Sequence, residues 1–311
     1  MRKIIFLGLL LYMISIAGAQ TFPIFNQKMT DYFTYDPSRT GFSGGSAVFT
    51  HQQLSTGLQN APQTDFFGAH TRLGFDQFGL GGSLYYQESG IIRTYRITAS
   101  GAYHMKINDE YGLSFGLAPE ITRGELNFQD LFVIDMNDPV ILNYGKKSDF
   151  DVSSGVSLHH DRFEAGIVMN RMMSITQGLS SNRAFQGSYS AYIQGKMPVR
   201  SNFDVIEPML FLNRFQDGTS QIDIGGFYNY ENLLFLGAMY RTKSLVSMSL
   251  GYNVKNRIIL GYSYQTPIGS SVAAIGSAHE ITLRFNFNKQ FYDQQQPQRD
   301  VQTISPEKKG N

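Results

Sequence analysis

The chain has 311 residues and is nearly neutral, with 26 Lys+Arg against 25 Asp+Glu, which excludes the strong basic excess that bulk nucleic-acid binding requires. Charged residues make up only 16% and aromatics reach 14%, a balance suited to a surface that meets something less polar than water. Cysteine is absent, which removes disulfides, thiol nucleophiles, cysteine-based zinc sites and a lipid-modified N-terminal cysteine together.

The chain opens with MRKIIFLGLLLYMISIAGAQ. Two cations, Arg2 and Lys3, precede an apolar run from Ile4 to Ile16, and Ala17-Gly18-Ala19 forms a small-residue cleavage site. This pattern predicts a secretory signal peptide over 1–19, because the run is shorter than the ~20 residues of a membrane span. Residues 20–42 carry Phe25, Met29, Tyr32 and Phe33 at helical spacing, which predicts a short amphipathic helix that plugs the rest of the fold or lies under it.

From 43 to 288 the pattern is alternation. Val246, Met248, Leu250 and Tyr252 share one face, while Ser247, Ser249, Gly251 and Asn253 share the other. The next segment repeats it, with Leu260, Tyr262 and Tyr264 opposing Gly261 and Ser263. Period two with one apolar face predicts β-strands. The second face holds small polar residues rather than charges, and tyrosines gather near strand ends. That combination predicts an all-β fold, a transmembrane antiparallel β-barrel with lipid outside and polar residues within. Fourteen strands are expected, centred near residues 49, 69, 82, 98, 115, 155, 167, 190, 208, 223, 236, 248, 261 and 282.

The connections agree with this count. With the N-terminus in the periplasm, turns after even strands are tight, as at Lys106, His159, Tyr230 and Asn253. Long loops, near 122–149, 172–183 and 265–276, all come after odd strands and face outside. The first of these reads either as a folded-in loop that narrows the pore or as a surface for a partner. Residues 289–311 are polar, with Gln and Pro, and read as a flexible periplasmic tail.

Candidates for chemistry are few. His279-Glu280 lacks the second histidine of H-E-x-x-H, since Leu283 stands there, and it opens a strand rather than a helix. The pair is expected near the external rim, bonded to polar residues of the first strand or of the N-terminal segment. The HHD run at His159–Asp161 reads as a solvated turn. No G-x-S-x-G motif occurs, and His70 with His104 would need to lie on neighbouring strands to form a rim site. No enzyme activity, metal or cofactor is expected.

Several blocks resemble the PorP/SprF family. FNQKMTDYFTYDPSRTG matches the family opening at Phe25, Gln27, Met29, Tyr35, Pro37 and Gly41, with Asp36 in place of Asn and Ser38 in place of Ala. HQQLSTGLQNAPQT matches at Gln53, Pro62 and Thr64, with Leu54 in place of Trp. The central blocks are LGGSLYYQESG and ASGAYHMKINDEYGLSFGL. Tyr240-Arg241, then Gly261-Tyr262-Ser263-Tyr264, and finally Gly276-Ser277 with His279-Glu280 complete the series in order. The resemblance implies an outer-membrane component of the type IX secretion system of Bacteroidetes, several members being associated with gliding motility. It implies a role in bringing cargo or adhesins to the cell surface or holding them there. The implied partners are periplasmic secretion components and the C-terminal domain of a secreted cargo. The competing readings are a porin or transporter for a small solute, and a rim enzyme, which lacks a triad.

Overall fold

The computed structural model of the chain describes residues 25–28, 30–42, 44–56, 61–74, 77–126, 146–177, 186–199, 204–242, 245–255, 257–268 and 276–287. The expected signal peptide, the expected tail and most of the long loop near 122–149 lie outside the described residues.

Alternation dictates the architecture. The strands are β1 (Gly45–Thr56), β2 (Gln63–Arg72), β3 (Phe78–Ser89), β4 (Ile92–Lys106), β5 (Tyr111–Leu126), β6 (Lys146–His160), β7 (Phe163–Asn170) and β8 (Ser188–Gly195). They continue as β9 (Met197–Pro198), β10 (Val205–Phe215), β11 (Ser220–Tyr230), β12 (Leu234–Arg241), β13 (Leu245–Val254), β14 (Ile258–Pro267) and β15 (Ser277–Asn286). All pairings are antiparallel, and they join sequence neighbours except that β10 pairs β8, past β9, and β1 pairs β15. That last ladder, with Phe49 opposite Leu283 and Gln52 opposite Glu280, closes the cylinder. Fourteen strands form the wall, and the two-residue β9 lies outside it, pairing only with β10. Every expected strand centre falls within a wall strand. A closed barrel leaves no unpaired edge, which is what a strand protein needs in lipid.

The outer face is apolar. On β13 Met248 is 64% exposed and Leu250 51%, while Ser247, Ser249 and Asn253 on the opposite face are buried. Ile281, Leu283 and Phe285 on β15 likewise point outward, and Thr282, Arg284 and Asn286 inward. An apolar belt of this extent is a lipid surface rather than a soluble one. Exposed tyrosines stand toward both ends of the wall, Tyr189 and Tyr240 toward one and Tyr230 and Tyr252 toward the other. Several connections at one end are tight, at 107–110, 161–162 and 231–233, whereas β5 ends and β6 begins at the other, where the segment containing α1 (Met172–Gln177) also lies. By the outer-membrane rule the long-connection end faces outward.

The N-terminal segment differs from its expectation. Tyr32–Thr34 and Pro37–Arg39 form two 3-10 turns, not an amphipathic helix, and Met29 lies outside the described residues. The local sequence explains the turns. Asp31 caps the first by accepting from Phe33 N at 3.0 Å, and Asp36 caps the second by accepting from Ser38 N at 2.8 Å, with Pro37 at its first position. The first amides of the segment are donated to the wall: Asn26 N and Gln27 N both donate to Glu280.

Candidate functional site: the segment in the lumen

Residues 26–42 touch the barrel wall on almost every side, which places them inside the lumen. Near the start, the Glu280 carboxylate of β15 accepts from Asn26 N at 2.7 Å, Gln27 N at 2.8 Å and Gln52 Nε2 of β1 at 2.8 Å. Gln27 Nε2 donates to Ser263 Oγ of β14 at 2.9 Å. Across the lumen, buried Lys28 pairs with Asp223 of β11, which also receives Arg241 Nε at 2.9 Å and Nη2 at 3.1 Å in a fork.

Further along, Asp31 Oδ2 accepts from Ser46 Oγ at 2.5 Å and lies 3.4 Å from Arg284 Nε. Burial acts to raise the Asp31 carboxyl, yet Arg284, His70 and Ser46 hold it well below the usual carboxylate range. At Asp36 burial prevails and raises the carboxyl, even though Tyr192 OH donates to it at 2.7 Å and Ser38 Oγ at 2.7 Å. Ser38 Oγ also meets Ser157 Oγ of β6 at 2.6 Å. The apolar residues of the segment join two small clusters. Phe33 packs with Val48, Phe66 and Tyr85, and Tyr32 packs against Met209, Phe227 and Met239.

At the tight-turn end Arg39 is clamped. Its Nη2 lies 3.0 Å from Glu164 Oε2, its Nη1 meets His159 Nδ1, and its guanidinium sits 4.0 Å from the centre of the Phe42 ring. Three histidines anchor the same stretch. Gly41 N donates to His70 Nδ1 at 2.9 Å, His104 Nε2 donates to Thr40 O at 2.8 Å, and Phe42 stacks on His159 at 3.9 Å. Gly41 adopts φ +74 and sits against Gly79 and Thr71, so a side chain there would strain the backbone and collide with the wall. Gly116 makes a comparable allowance, since a Cβ on it would fall 2.2 Å from the Pro37 carbonyl carbon.

The residues that the family blocks single out divide by face. Pro37, Gly41, Arg241 and Glu280 belong to this luminal network. Gln53, Tyr240, Tyr262, Tyr264 and His279 lie on the outward face, where Tyr262 OH meets His279 Nδ1 at 2.7 Å. The Glu280 side chain therefore bonds to both the first strand and the N-terminal segment, whereas the His279 side chain bonds to Tyr262 of β14. The HHD expectation holds for Asp161 but fails at His159, which is buried on β6 and bonded to Arg39, Ser114 and Ser157. Strand pairing extends to His160 and so pulls His159 out of the turn. His70 and His104 sit on β2 and β4, separated by β3, so they are not neighbours in the wall. Gln52, in phase with Thr50 and Val48 rather than with Phe49, is the glutamine that reaches inward. Among the described residues no group of three or more His, Cys, Asp or Glu is placed to hold a metal ion.

A closed antiparallel barrel with an apolar belt, a polar lumen and its own N-terminal residues bonded through that lumen is an outer-membrane protein. Residues 17–285 match the model of the family described as type IX secretion system membrane protein PorP/SprF. The chain belongs to that family and is a membrane component of type IX secretion. Solved structures with a similar fold include the Acinetobacter baumannii outer membrane protein Omp33 at 8% identity and TM-score 0.49, covering 78% of this chain and 98% of that one. The CymD monoaromatic hydrocarbon channel aligns at 12% identity and TM-score 0.48, covering 87% and 95%. The KdgM porin aligns at 10% identity and TM-score 0.40, covering 78% and 99%. No curated protein matches the sequence.

Proposed function

We propose that this barrel is a non-enzymatic, internally plugged component of type IX secretion that helps particular secreted cargo or adhesins reach or stay on the cell surface, including those of gliding motility. Its partners on this reading are periplasmic secretion components and the C-terminal domain of a cargo protein. The observation that supports it is the luminal segment. Lys28, Asp31 and Arg39 are buried in ion pairs with different strands, and removing one partner of such a pair costs ~3–5 kcal/mol. A segment held in this way suits a surface for binding better than a channel for solutes, which needs an open, wet lumen.

The test is co-purification in gentle detergent at native expression. A secretion component or a large surface protein should accompany the barrel, and recovery of the barrel alone counts against the proposal. The same preparation in planar bilayers should carry little steady current, whereas large sustained currents would support the porin reading.

A further inference from the structure

The luminal segment does not fill the whole barrel. A cavity of about 160 Å3 lies between residues 33–37 and the walls contributed by β2–β8 and β10. Arg96, Glu120 and Asn170 place it toward the end with the long connections, on the outward side of the segment.

Its lining is of two kinds. The luminal segment contributes aromatic rings, Phe25, Phe33 and Tyr35, joined by Phe66 from β2 and Phe211 from β10. The wall contributes hydroxyls and amides, among them Ser83, Thr98, Ser100, Ser190 and Asn213. Ser100 is 7% exposed and Asn213 5%, and Ser100 Oγ and Asn213 Nδ2 have no hydrogen-bond partner among the described residues. Native proteins satisfy most buried polar groups, so two orphans lining one cavity point to a hydroxyl-bearing occupant. The charged residues of the lining balance, Arg96 and Arg171 against Asp36 and Glu120.

We propose that this cavity is a binding site for a neutral sugar ring. A pyranose has an apolar C–H face that lies on aromatic rings and a rim of hydroxyls that donate and accept. The aromatic rings and the Ser, Thr and Asn side chains of the lining supply the complements of each. A purely apolar ligand would leave Ser100 Oγ and Asn213 Nδ2 without partners. An anionic ligand would meet two carboxylates as well as two guanidinium groups. The site is independent of cargo anchoring, and it stands or falls separately from that reading.

Saturation-transfer NMR on the full barrel in a sugar-free detergent provides the test. The probes are the methyl pyranosides of glucose, galactose and mannose, with methyl glucuronide and a neutral tripeptide as comparators. At least one neutral pyranoside should receive ring-proton saturation. Asn213→Leu should reduce that signal at least fivefold, and the milder Ser100→Ala should reduce it measurably while the barrel keeps its compact gel migration. The proposal is overturned if none of the three pyranosides is saturated, if both variants leave the signal unchanged, or if the glucuronide or the tripeptide displaces the pyranoside.

Discussion

Adjacent residues on one strand have opposite fates, and His279-Glu280 shows it most directly. Glu280 is fully buried and accepts three hydrogen bonds, two of them from backbone amides 254 and 253 positions away. His279 points outward to Tyr262. Glu280→Gln keeps the shape but turns an amide N–H toward groups that themselves donate. At least one buried donor then loses its acceptor, at a cost of ~1–3 kcal/mol. The thermal midpoint for loss of compact gel migration should therefore fall clearly in Glu280→Gln, and stay nearly unchanged in His279→Ala, where surface substitutions cost within ~0.5 kcal/mol. A larger drop for the histidine variant would mean that the luminal contact is not what Glu280 contributes.

The single strand is the scale at which the sequence is most informative. Two-residue periodicity is local, and lipid on one side with polar groups on the other marks it strongly, so β13, β14 and β15 can be read directly from residues 245–287. The same phase separates Gln52 from Gln53 and Arg241 from Tyr240, so the inward member of each pair is legible without a structure. What the luminal segment does is not legible. Its partners are far away in sequence, its helical spacing is misleading, and the amides of Asn26 and Gln27 are spent on the Glu280 carboxylate of the wall. His159 has the composition of a turn residue, and composition hides how far a ladder runs. The strand faces make a direct prediction. Leu250→Arg on the lipid face of β13 should cost ~2–4 kcal/mol at mid-membrane depth, read by urea unfolding in lipid bilayers. Ser249→Ala, one residue away but facing the lumen, removes one hydrogen bond to Ser263 and should cost only ~0.5–1.5 kcal/mol. Equal costs at the two positions would contradict the assignment of faces.

For the whole molecule, the question is whether the luminal segment stays in place while the barrel works. The ion pairs of Lys28, Asp31 and Arg39 tie it to strands on different sides of the wall, so it cannot leave by breaking one contact. A barrel that binds at its rim needs no such departure, whereas a barrel that conducts or translocates does. The chain has no cysteines, so an engineered pair would have no competitor. Ser38 and Ser157 bring their hydroxyl oxygens to 2.6 Å, close to the ~2.0 Å of a disulfide, which makes Ser38→Cys with Ser157→Cys a suitable staple. The oxidised double variant should recover the same partners on co-purification as the unmodified protein, and adding reductant should change neither that recovery nor the small bilayer current. Partner recovery or current that appears only after reduction would show that the segment moves during function, and the proposal of an internally plugged barrel would then fail.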